Sequence, residues 1–258
     1  MLNYRVLLFD LDGTLLRSDK TISSHTMEVL KKCREMGFLI GISTSRSEKN
    51  SLKFIKELEP DISIVSGGAV VKVRGNYRFI AEFTAEETRN MIQTARDICG
   101  SECEISIDTR DEHFWNYKED PSEGNASWGR SIYTDFSDFG ERALKMCVEI
   151  FDVADAVALK EALGECDCVK FSDGEWYKFT KKTATKEKAI MKLCEDMEIT
   201  PDQIIAFGDD FADIGMLKLC GLGIAMGNAI DEVKAASDVV IGDNDHEGIA
   251  MYLEEQYL

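Results

Sequence analysis

Carboxylate and hydroxyl side chains follow three separate apolar stretches of this 258-residue sequence. Asp10 and Asp12 come after RVLLF, and Thr44 comes after FLIGIS. Asp209 and Asp213 belong to the stretch that follows IIAF. Carboxylates gathered in one place repel one another, so they need either raised pKa values or a cation between them. Because oxygen ligands suit a hard ion such as Mg²⁺ better than zinc, these residue types favour metal-assisted phosphoryl transfer.

Each of these residues also has an ordinary structural explanation. Asp-Gly, as in Asp12-Gly13, is a common turn pair. Asp213 could simply be a carboxylate that the dipole of the following helix favours. The coincidence argues against these explanations, because three separate strand ends carry the groups that one phosphoryl-transfer site would need.

Lys186 adds an independent signal. It lies in the predicted first turn of a helix that Thr185 caps, where the helix dipole disfavours a cation. A locally unfavourable choice often marks a functional position. A solvated lysine is the alternative explanation, Lys188 is a second candidate, and the nearby Lys181 and Lys182 weaken the signal.

Strands and helices alternate at both ends of the chain. The unbroken apolar strands FLIGIS and IIAF are typical of a parallel sheet covered by helices on both faces. Helices are predicted at about 23–36, 47–58, 186–198 and 212–219. In open parallel sheets, ligands bind beyond the carboxyl ends of the strands, where the strand order reverses. We therefore expect Asp10, Thr44 and Asp209 to meet at one edge of the sheet.

The middle of the chain has a different pattern. Thr84 and Glu87 predict a capping box for a helix that runs to about residue 98. The stretches CEISID, HFWNYK and KMCVEIF predict strands, and a helix is predicted near 153–163. CVKFSDGEWYKF predicts a hairpin that turns at Asp173-Gly174. This pattern is that of an α+β unit.

Two units are therefore predicted, and the charge distribution agrees with the division. The fold class is α/β, a three-layer Rossmann-like parallel-sheet core formed by 1–80 and 181–258, with an inserted α+β domain at 81–180. The insert has 23 acidic and 10 basic residues, a net charge of −13, against 25 and 20, a net −5, for the rest. The total of −18 disfavours nucleic-acid and membrane partners and leaves small molecules or proteins.

Localisation is expected to be cytoplasmic. No apolar run approaches the roughly 18 to 20 residues that span a bilayer, and the start, MLNYRVLLFDLDG, lacks the features of a signal peptide. The eight scattered cysteines predict free thiols. Cys166 and Cys168 lack the second ligand pair of a zinc site. The oligomeric state is left open as a monomer or a homodimer.

The chemistry-bearing residues resemble the four signature motifs of the haloacid dehalogenase (HAD) superfamily, in the layout of its Cof-type, C2B-capped phosphatase branch. In order, the motifs are matched by Asp10 to Thr14 (DLDGT), Thr44, Lys186, and Gly208-Asp209 with Asp213. The resemblance extends over nearly the whole chain and is strongest in the first 70 residues and from 183 to 250. This chain departs from the family pattern at Ser45, Gly67, Glu187 and Ala212, the last at a position where relatives usually have Asn.

The resemblance implies a magnesium-dependent phosphatase that hydrolyses a small phosphorylated metabolite, such as a sugar phosphate. Asp10 would attack phosphorus to give an aspartyl-phosphate. Asp12 would act as general acid and base, with a pKa raised by neighbouring carboxylates. The resemblance assigns metal binding to Asp10, Asp209, the Asp12 carbonyl and, through waters, Asp213. It assigns phosphate binding to Thr44 and Lys186, with Arg46 and Asn228 as further substrate-binding candidates.

The insert would serve as a cap that selects the leaving group. Candidate contacts are Trp115, Tyr117, Trp128 and Arg130, although alternating aromatic residues more often pack on a sheet face. The net charge of −13 disfavours a multiply anionic leaving group, unless a local basic patch lies at the site.

Two other functions stay open from the sequence. A phosphomutase would share the aspartyl nucleophile, but in this superfamily it usually has a smaller helical cap after the first motif, and only about 25 residues follow Asp12 before the second strand. A non-enzymatic phospho-accepting or metal-binding switch would not need a 100-residue insert over its site. Dinucleotide and Walker motifs are absent from the sequence, and the three histidines do not support Ser-His-Asp catalysis.

Overall fold

The computed structural model describes residues 4–117, 131–172 and 174–258, which form two sheets with their own helices. The first sheet contains β1 (Val6–Phe9), β2 (Leu39–Ser43), β3 (Ile62–Val65), β4 (Val70–Val73), β5 (Asn76–Ile80), β12 (Ile204–Gly208), β13 (Leu222–Ala225) and β14 (Val239–Val240). The second contains β6 (Ile105–Asp108), β7 (His113–Trp115), β8 (Ile132–Tyr133), β9 (Lys145–Glu149), β10 (Cys166–Lys170) and β11 (Trp176–Lys181).

The first sheet has the order β14-β13-β12-β1-β2-β3-β4-β5. The six strands from β14 to β3 are parallel, as the sequence predicts. β4 and β5 are antiparallel and were not expected, so the sheet is parallel with an antiparallel hairpin at one edge. The strand order reverses at β1, which opens a crevice beyond its carboxyl end.

Six helices cover both faces of this sheet: α1 (Ser24–Glu35), α2 (Glu48–Leu58), α5 (Lys186–Met197), α6 (Ile214–Leu219), α7 (Asp231–Ala236) and α8 (Gly248–Tyr257). Alternate residues of β1 face opposite layers, so that Leu7 and Phe9 pack with α1, α2 and α8. Val6 and Leu8 pack with α5, α6 and α7. The predicted three-layer architecture is therefore confirmed.

The second sheet is covered on one face by α3 (Ala85–Cys99) and α4 (Val153–Ala162). The predicted capping box of Thr84 and Glu87 is present at the start of α3. β10 and β11 form the predicted antiparallel hairpin, although Asp173 of its predicted turn lies outside the described residues. The predicted contacts Trp128 and Arg130 lie outside them as well.

The face of the second sheet that is not covered by helices meets the loops at the carboxyl ends of β2 and β3. Lys145 Nζ donates to the Ser45 carbonyl at 2.7 Å, and Ser66 Oγ donates to Asp108 Oδ2 at 3.2 Å. Asp108 is fully buried and also pairs with Lys145 at 2.9 Å and with His113 at 2.6 Å. A buried ion pair within the second sheet thus makes hydrogen bonds to the loops of the first sheet.

Replacing Asp108 with Asn should destabilise the protein by about 3 kcal/mol at pH 7, because Lys145 would keep a buried charge without its partner. Burial alone would raise the pKa of Asp108, but Lys145 and His113 lower it to about 2. The stabilisation is therefore present above the ordinary Asp pKa of about 4 and is lost as the pH falls towards 2.

Urea unfolding at pH 7 and at pH 3 measures this difference in the free energy of unfolding. The exposed Asp111→Asn variant is the control and should match the parent protein. A destabilisation by Asp108→Asn that is equal at both pH values would contradict the role of the ion pair.

All eight cysteines lie in described ranges and are free thiols, as the sequence predicts. Across 4–117, 131–172 and 174–258, no helix combines the length and apolar character needed to cross a membrane.

Candidate functional site

The crevice at the end of β1 holds three carboxylates. Asp10 is buried directly after β1, and its N–H donates to the Phe207 carbonyl of the neighbouring β12 at 3.0 Å. Asp209 follows β12, and Asp213 lies one short turn further on. One oxygen from each of the three carboxylates lies within 4.8 Å of the others. The two strand ends thus bring together residues that are about 200 positions apart.

Backbone amides and a hydroxyl hold the second half of this cluster in place. Asp213 Oδ2 accepts the N–H groups of Asp209 at 3.0 Å and Asp210 at 3.1 Å. Thr14 Oγ1 donates to Asp209 Oδ1 at 2.7 Å. Gly208 is required here, because a Cβ atom at this position would lie 2.5 Å from the Cβ atom of Asp213.

Lys186 places its ammonium group against two of the three carboxylates. Its Nζ lies 2.6 Å from Asp10 Oδ1 and 2.5 Å from Asp213 Oδ1, and its side chain is 1% exposed. The Thr185 side chain caps the helix that begins at Lys186. Lys188, the alternative candidate, is exposed and donates to the Lys182 carbonyl instead.

The pKa values of the cluster show that its negative charge is not balanced by this one ammonium group. Burial raises the pKa of Asp10 well above its usual value, although Lys186 opposes the shift. Burial and the charge of Asp213 raise the pKa of Asp209 to about 7. The pKa of Lys186 is itself raised by Asp10 and Asp213, against the effect of burial. Three carboxylates around one ammonium therefore fit a further, hard cation that binds oxygen.

Asp12 lies in a different environment from the one the sequence suggested. Arg46 donates to both of its oxygens, from Nε at 2.6 Å and from Nη2 at 2.8 Å, and Lys20 Nζ lies at 2.8 Å. Burial would raise the pKa of Asp12, but Arg46 and Lys20 lower it to about 2. The expectation that neighbouring carboxylates raise this pKa is therefore wrong, because two cations are the closer neighbours.

Arg46 is buried and pairs with the Asp12 carboxylate. Besides the two bonds to Asp12, its Nη1 donates to the Asn50 carbonyl at 3.4 Å, and its guanidinium lies 5.3 Å from the Phe54 ring centre. Arg46 therefore orients the Asp12 carboxylate, and its role in substrate binding stays a prediction.

Thr44 lies at the end of β2 on the same side of the crevice. Its N–H donates to the Ile64 carbonyl at 2.9 Å, and its Oγ1 accepts the Arg46 N–H at 3.1 Å. The hydroxyl group is almost fully buried, and a hydroxyl that accepts one hydrogen bond can still donate its own proton.

Asn228 is a predicted substrate-binding residue, and its side chain makes two hydrogen bonds within the protein. Its Nδ2 donates to the Gly13 carbonyl at 2.7 Å, and its Oδ1 accepts the Asn244 N–H at 3.1 Å. The amide thus helps to hold the loop that carries Asp12. Its Nδ2 has a second N–H, so substrate binding by Asn228 stays a prediction.

Trp115 and Tyr117 lie in an aromatic group on the second sheet. The two ring centres are 5.3 Å apart, and Tyr117 also lies 4.9 Å from the Trp176 ring. Burial raises the pKa of Tyr117 beyond the usual range of tyrosine. This packing agrees with the alternative given above, that the aromatic residues line a sheet face.

Lys20 and Thr14 have contacts in the site that were not predicted. Thr14 belonged to a recognised motif, but no role was assigned to its hydroxyl. Lys20 lies in a loop without periodicity, and its distance of eight residues from Asp12 gives no sequence signal for their contact.

Replacing Gly13 with Ala should disturb this site severely. Gly13 has φ +73°, a conformation that costs other residues about 1–2 kcal/mol. A Cβ atom there would also lie 2.2 Å from Asp209 Oδ2, so the carboxylate would have to move. Since a displacement of about 1 Å in a catalytic group can cost about 10²-fold in rate, the activity of the site should fall by about that factor.

Gly75→Ala is the matched control, because Gly75 has φ +77° and nothing within 4 Å of the added Cβ atom. Both variants should lose similar stability from the backbone, while Gly13→Ala alone loses activity. Full activity in Gly13→Ala would show that the position of Asp209 is not critical.

Comparisons with known proteins agree with this geometry. The family model of the haloacid dehalogenase-like hydrolases matches residues 7–253. The 5-amino-6-(5-phospho-D-ribitylamino)uracil phosphatase YitU of Bacillus subtilis is 24% identical over 98% of this chain and 97% of its own. The pyridoxal phosphate phosphatase YbhA of Escherichia coli is 25% identical over 96% of this chain and 97% of its own.

Solved structures show the same fold over nearly the whole chain. A sugar phosphatase of HAD subclass IIB superposes with a TM-score of 0.86 at 23% identity and covers 97% of this chain and 98% of its own. The chain therefore belongs to the haloacid dehalogenase-like hydrolases, as a phosphatase of the Cof type.

Proposed function

We propose that this protein is a magnesium-dependent phosphatase that hydrolyses a small phosphorylated metabolite through an aspartyl-phosphate on Asp10. The observation that carries the proposal is the cluster of Asp10, Asp209 and Asp213 around the ammonium group of Lys186 at the end of β1. In this arrangement Asp10 would be the nucleophile, Lys186 would shield its charge, and the carboxylates would offer oxygen ligands to a divalent metal.

Asp10 would attack the phosphorus atom of the substrate in line with the leaving oxygen. A bond would form from the carboxylate to phosphorus, and the bond from phosphorus to the leaving oxygen would break. Water would then attack the same phosphorus and release Asp10 and inorganic phosphate. Lys186 and the Thr44 hydroxyl would stabilise the charge on the phosphoryl oxygens in both steps.

Asp12 would protonate the leaving oxygen in the first step and accept a proton from water in the second. The first step requires the protonated form of Asp12 and the second step the ionised form. The contacts with Arg46 and Lys20 favour the ionised form, so these contacts would have to weaken when substrate binds for the first step to proceed. Arg46 would also fix the direction in which the carboxylate points.

Magnesium would be held by the carboxylates of Asp10 and Asp209 and the carbonyl of Asp12, with Asp213 acting through waters. When bound, it would screen the negative charges of nucleophile and phosphate so that they can approach each other.

Residues 81–180 would form the cap of a core built from 1–80 and 181–258, and would cover the site and exclude bulk water during the reaction. The names of the relatives support a small phosphate ester as substrate, since they act on a phosphoribitylamino-uracil, on pyridoxal phosphate and, in one case, on sugar phosphates. A monomer or a homodimer in the cytoplasm would suit this activity.

Hydrolysis of p-nitrophenyl phosphate with and without Mg²⁺ tests the proposed function. We expect turnover that needs Mg²⁺ and that chelation removes. A screen of sugar phosphates, nucleotides, pyridoxal phosphate and flavin mononucleotide would then identify the preferred ester. No hydrolysis of any phosphate ester in the presence of Mg²⁺ would contradict the proposal and favour a binding switch.

A further inference from the structure

The strands of the second sheet alternate sharply between an apolar face and a polar face. Ile105, Ile107, Met146 and Phe179 point towards α3 and α4 and form the hydrophobic core of this unit. Their neighbours in the strands point the other way. On that polar face lie Asp108, Lys145, Lys178 and Thr180, all buried.

This polar face lies against the loops that carry the candidate site. Lys145 Nζ contacts the Ser45 carbonyl, next to Thr44. Lys178 lies beside Gly67, which follows β3. A Cβ atom added at Gly67 would be only 3.0 Å from Lys178 Nζ. The Gly67 N–H in turn donates to the Thr44 carbonyl at 3.0 Å.

Gly68, which follows Gly67, packs against the start of α5 at Lys186. A Cβ atom added at Gly68 would lie 2.4 Å from the Thr185 carbonyl oxygen and 3.0 Å from the Lys186 nitrogen. Lys178, on the second sheet, therefore contacts the Gly67–Gly68 loop, which lies between Thr44 and the start of α5.

The two lysines of this face differ in how their charge is balanced. Lys145 pairs with Asp108 at 2.9 Å. For Lys178, the described part of the chain provides no hydrogen bond and no ion pair, although its side chain is only 2% exposed. Asp167 on β10 attracts it from a greater distance. Next to it on the same strand, the buried Thr180 Oγ1 also has no partner among the described residues.

A buried ammonium group without a counter-ion is costly, and proteins usually pair such a group or leave it neutral. Burial, together with the charges of Lys186 and Lys145, lowers the pKa of Lys178. An anion placed beside it would remove the cost. Among the described residues, Lys178 is thus a buried cation without a close counter-ion, and it lies against the loops that carry the site.

We propose that Lys178 binds a second anionic group, a carboxylate or a further phosphate, on the leaving portion of the substrate. The inference rests on the proposed function, and it names the substrate class of that site. Thr180, two residues along the same strand, is placed to donate a hydrogen bond to the same group.

This inference reverses the expectation drawn from the net charge of −13. That expectation was drawn from a total charge, whereas the inference rests on one buried lysine. The polar face as a whole is not basic, because Asp108, Asp167 and Glu149 lie on it together with Lys145 and Lys178.

Matched pairs of phosphate esters test the inference as inhibitors of p-nitrophenyl phosphate hydrolysis. The members of each pair differ mainly by a carboxylate: 3-phosphoglycerate against glycerol 3-phosphate, and 6-phosphogluconate against glucitol 6-phosphate. In the parent protein, the member with the carboxylate should inhibit more strongly than its partner in at least one pair. In Lys178→Met, the ratio of the two inhibition constants should fall roughly ten- to hundredfold, as expected for a charged hydrogen bond.

The control is Lys170→Met, which removes a half-exposed lysine of the same hairpin that pairs with Glu175 and should keep the parent ratio. Lys178→Gln is a second variant in case the methionine disturbs packing. Equal inhibition within both pairs by the parent protein would overturn the inference. A preference for the acid that persists in the Lys178 variants would also overturn it. So would an equal loss of inhibition for both members of a pair, because Lys178 would then contact the scissile phosphoryl group. If the parent protein did not hydrolyse p-nitrophenyl phosphate at all, this result would instead contradict the proposed function.

Discussion

The Asp10→Asn variant should lose phosphatase activity by about 10³-fold or more, because an amide cannot replace the carboxylate as nucleophile. The change keeps the shape of the side chain, and the amide oxygen can still accept the hydrogen bond from Lys186. Hydrolysis of p-nitrophenyl phosphate at saturating Mg²⁺ measures the loss as kcat.

The stability of Asp10→Asn separates a chemical effect from a structural one. Burial raises the pKa of Asp10, so ionised Asp10 is costly in the folded protein, and its replacement should not lower the melting temperature. Exposed Asp138→Asn should be fully active. Activity within about tenfold of the parent protein would rule out Asp10 as the nucleophile.

Replacing Lys186 with Met should lower both stability and activity. The change removes the ammonium group that lies between Asp10 and Asp213 and leaves buried carboxylates without it. We expect a loss of about 3 kcal/mol in the free energy of unfolding in the absence of Mg²⁺. The loss of charge stabilisation at the phosphoryl group should lower kcat/KM by about 10²–10³-fold.

Lys188→Met is the matched control, since it changes the same residue type two positions along the same helix on its exposed side. Urea unfolding and p-nitrophenyl phosphate kinetics should both give parent-like values for it. Similar behaviour of the two variants would mean that the general density of lysine, rather than the position of Lys186, determines the effect.

Much of the fold follows from local patterns. The strand ends at Asp10 and Asp209 could be recognised because unbroken apolar runs end in charged residues, and parallel strands bring their carboxyl ends to one edge. The hairpin of β4 and β5 was not predicted, since its exposed strand NYRFI lacks a clear alternation. Short α7 and the helix α8, whose N-cap Glu247 makes no side-chain capping bond, also gave no strong signal.

The electrostatics of the site could not be predicted from local patterns. Asp12 and Arg46 are 34 positions apart, and only the folded chain shows that the guanidinium lowers the pKa of this carboxyl. The same is true of Lys178. Strand alternation predicts that Lys178 and Phe179 face opposite sides, but which side meets the site depends on how the two sheets pack.

The formation of the aspartyl-phosphate on Asp10 is the central claim, and chemical trapping tests it most directly. Borohydride reduces an acyl phosphate to an alcohol, which would convert a phosphorylated Asp10 to homoserine. The protein is mixed with substrate and Mg²⁺, treated with borohydride, digested and analysed by peptide mass spectrometry. Homoserine at position 10, only when substrate and Mg²⁺ are both present, is the predicted result. Unmodified Asp10 under conditions of rapid turnover, or reduction at another carboxylate, would contradict the account.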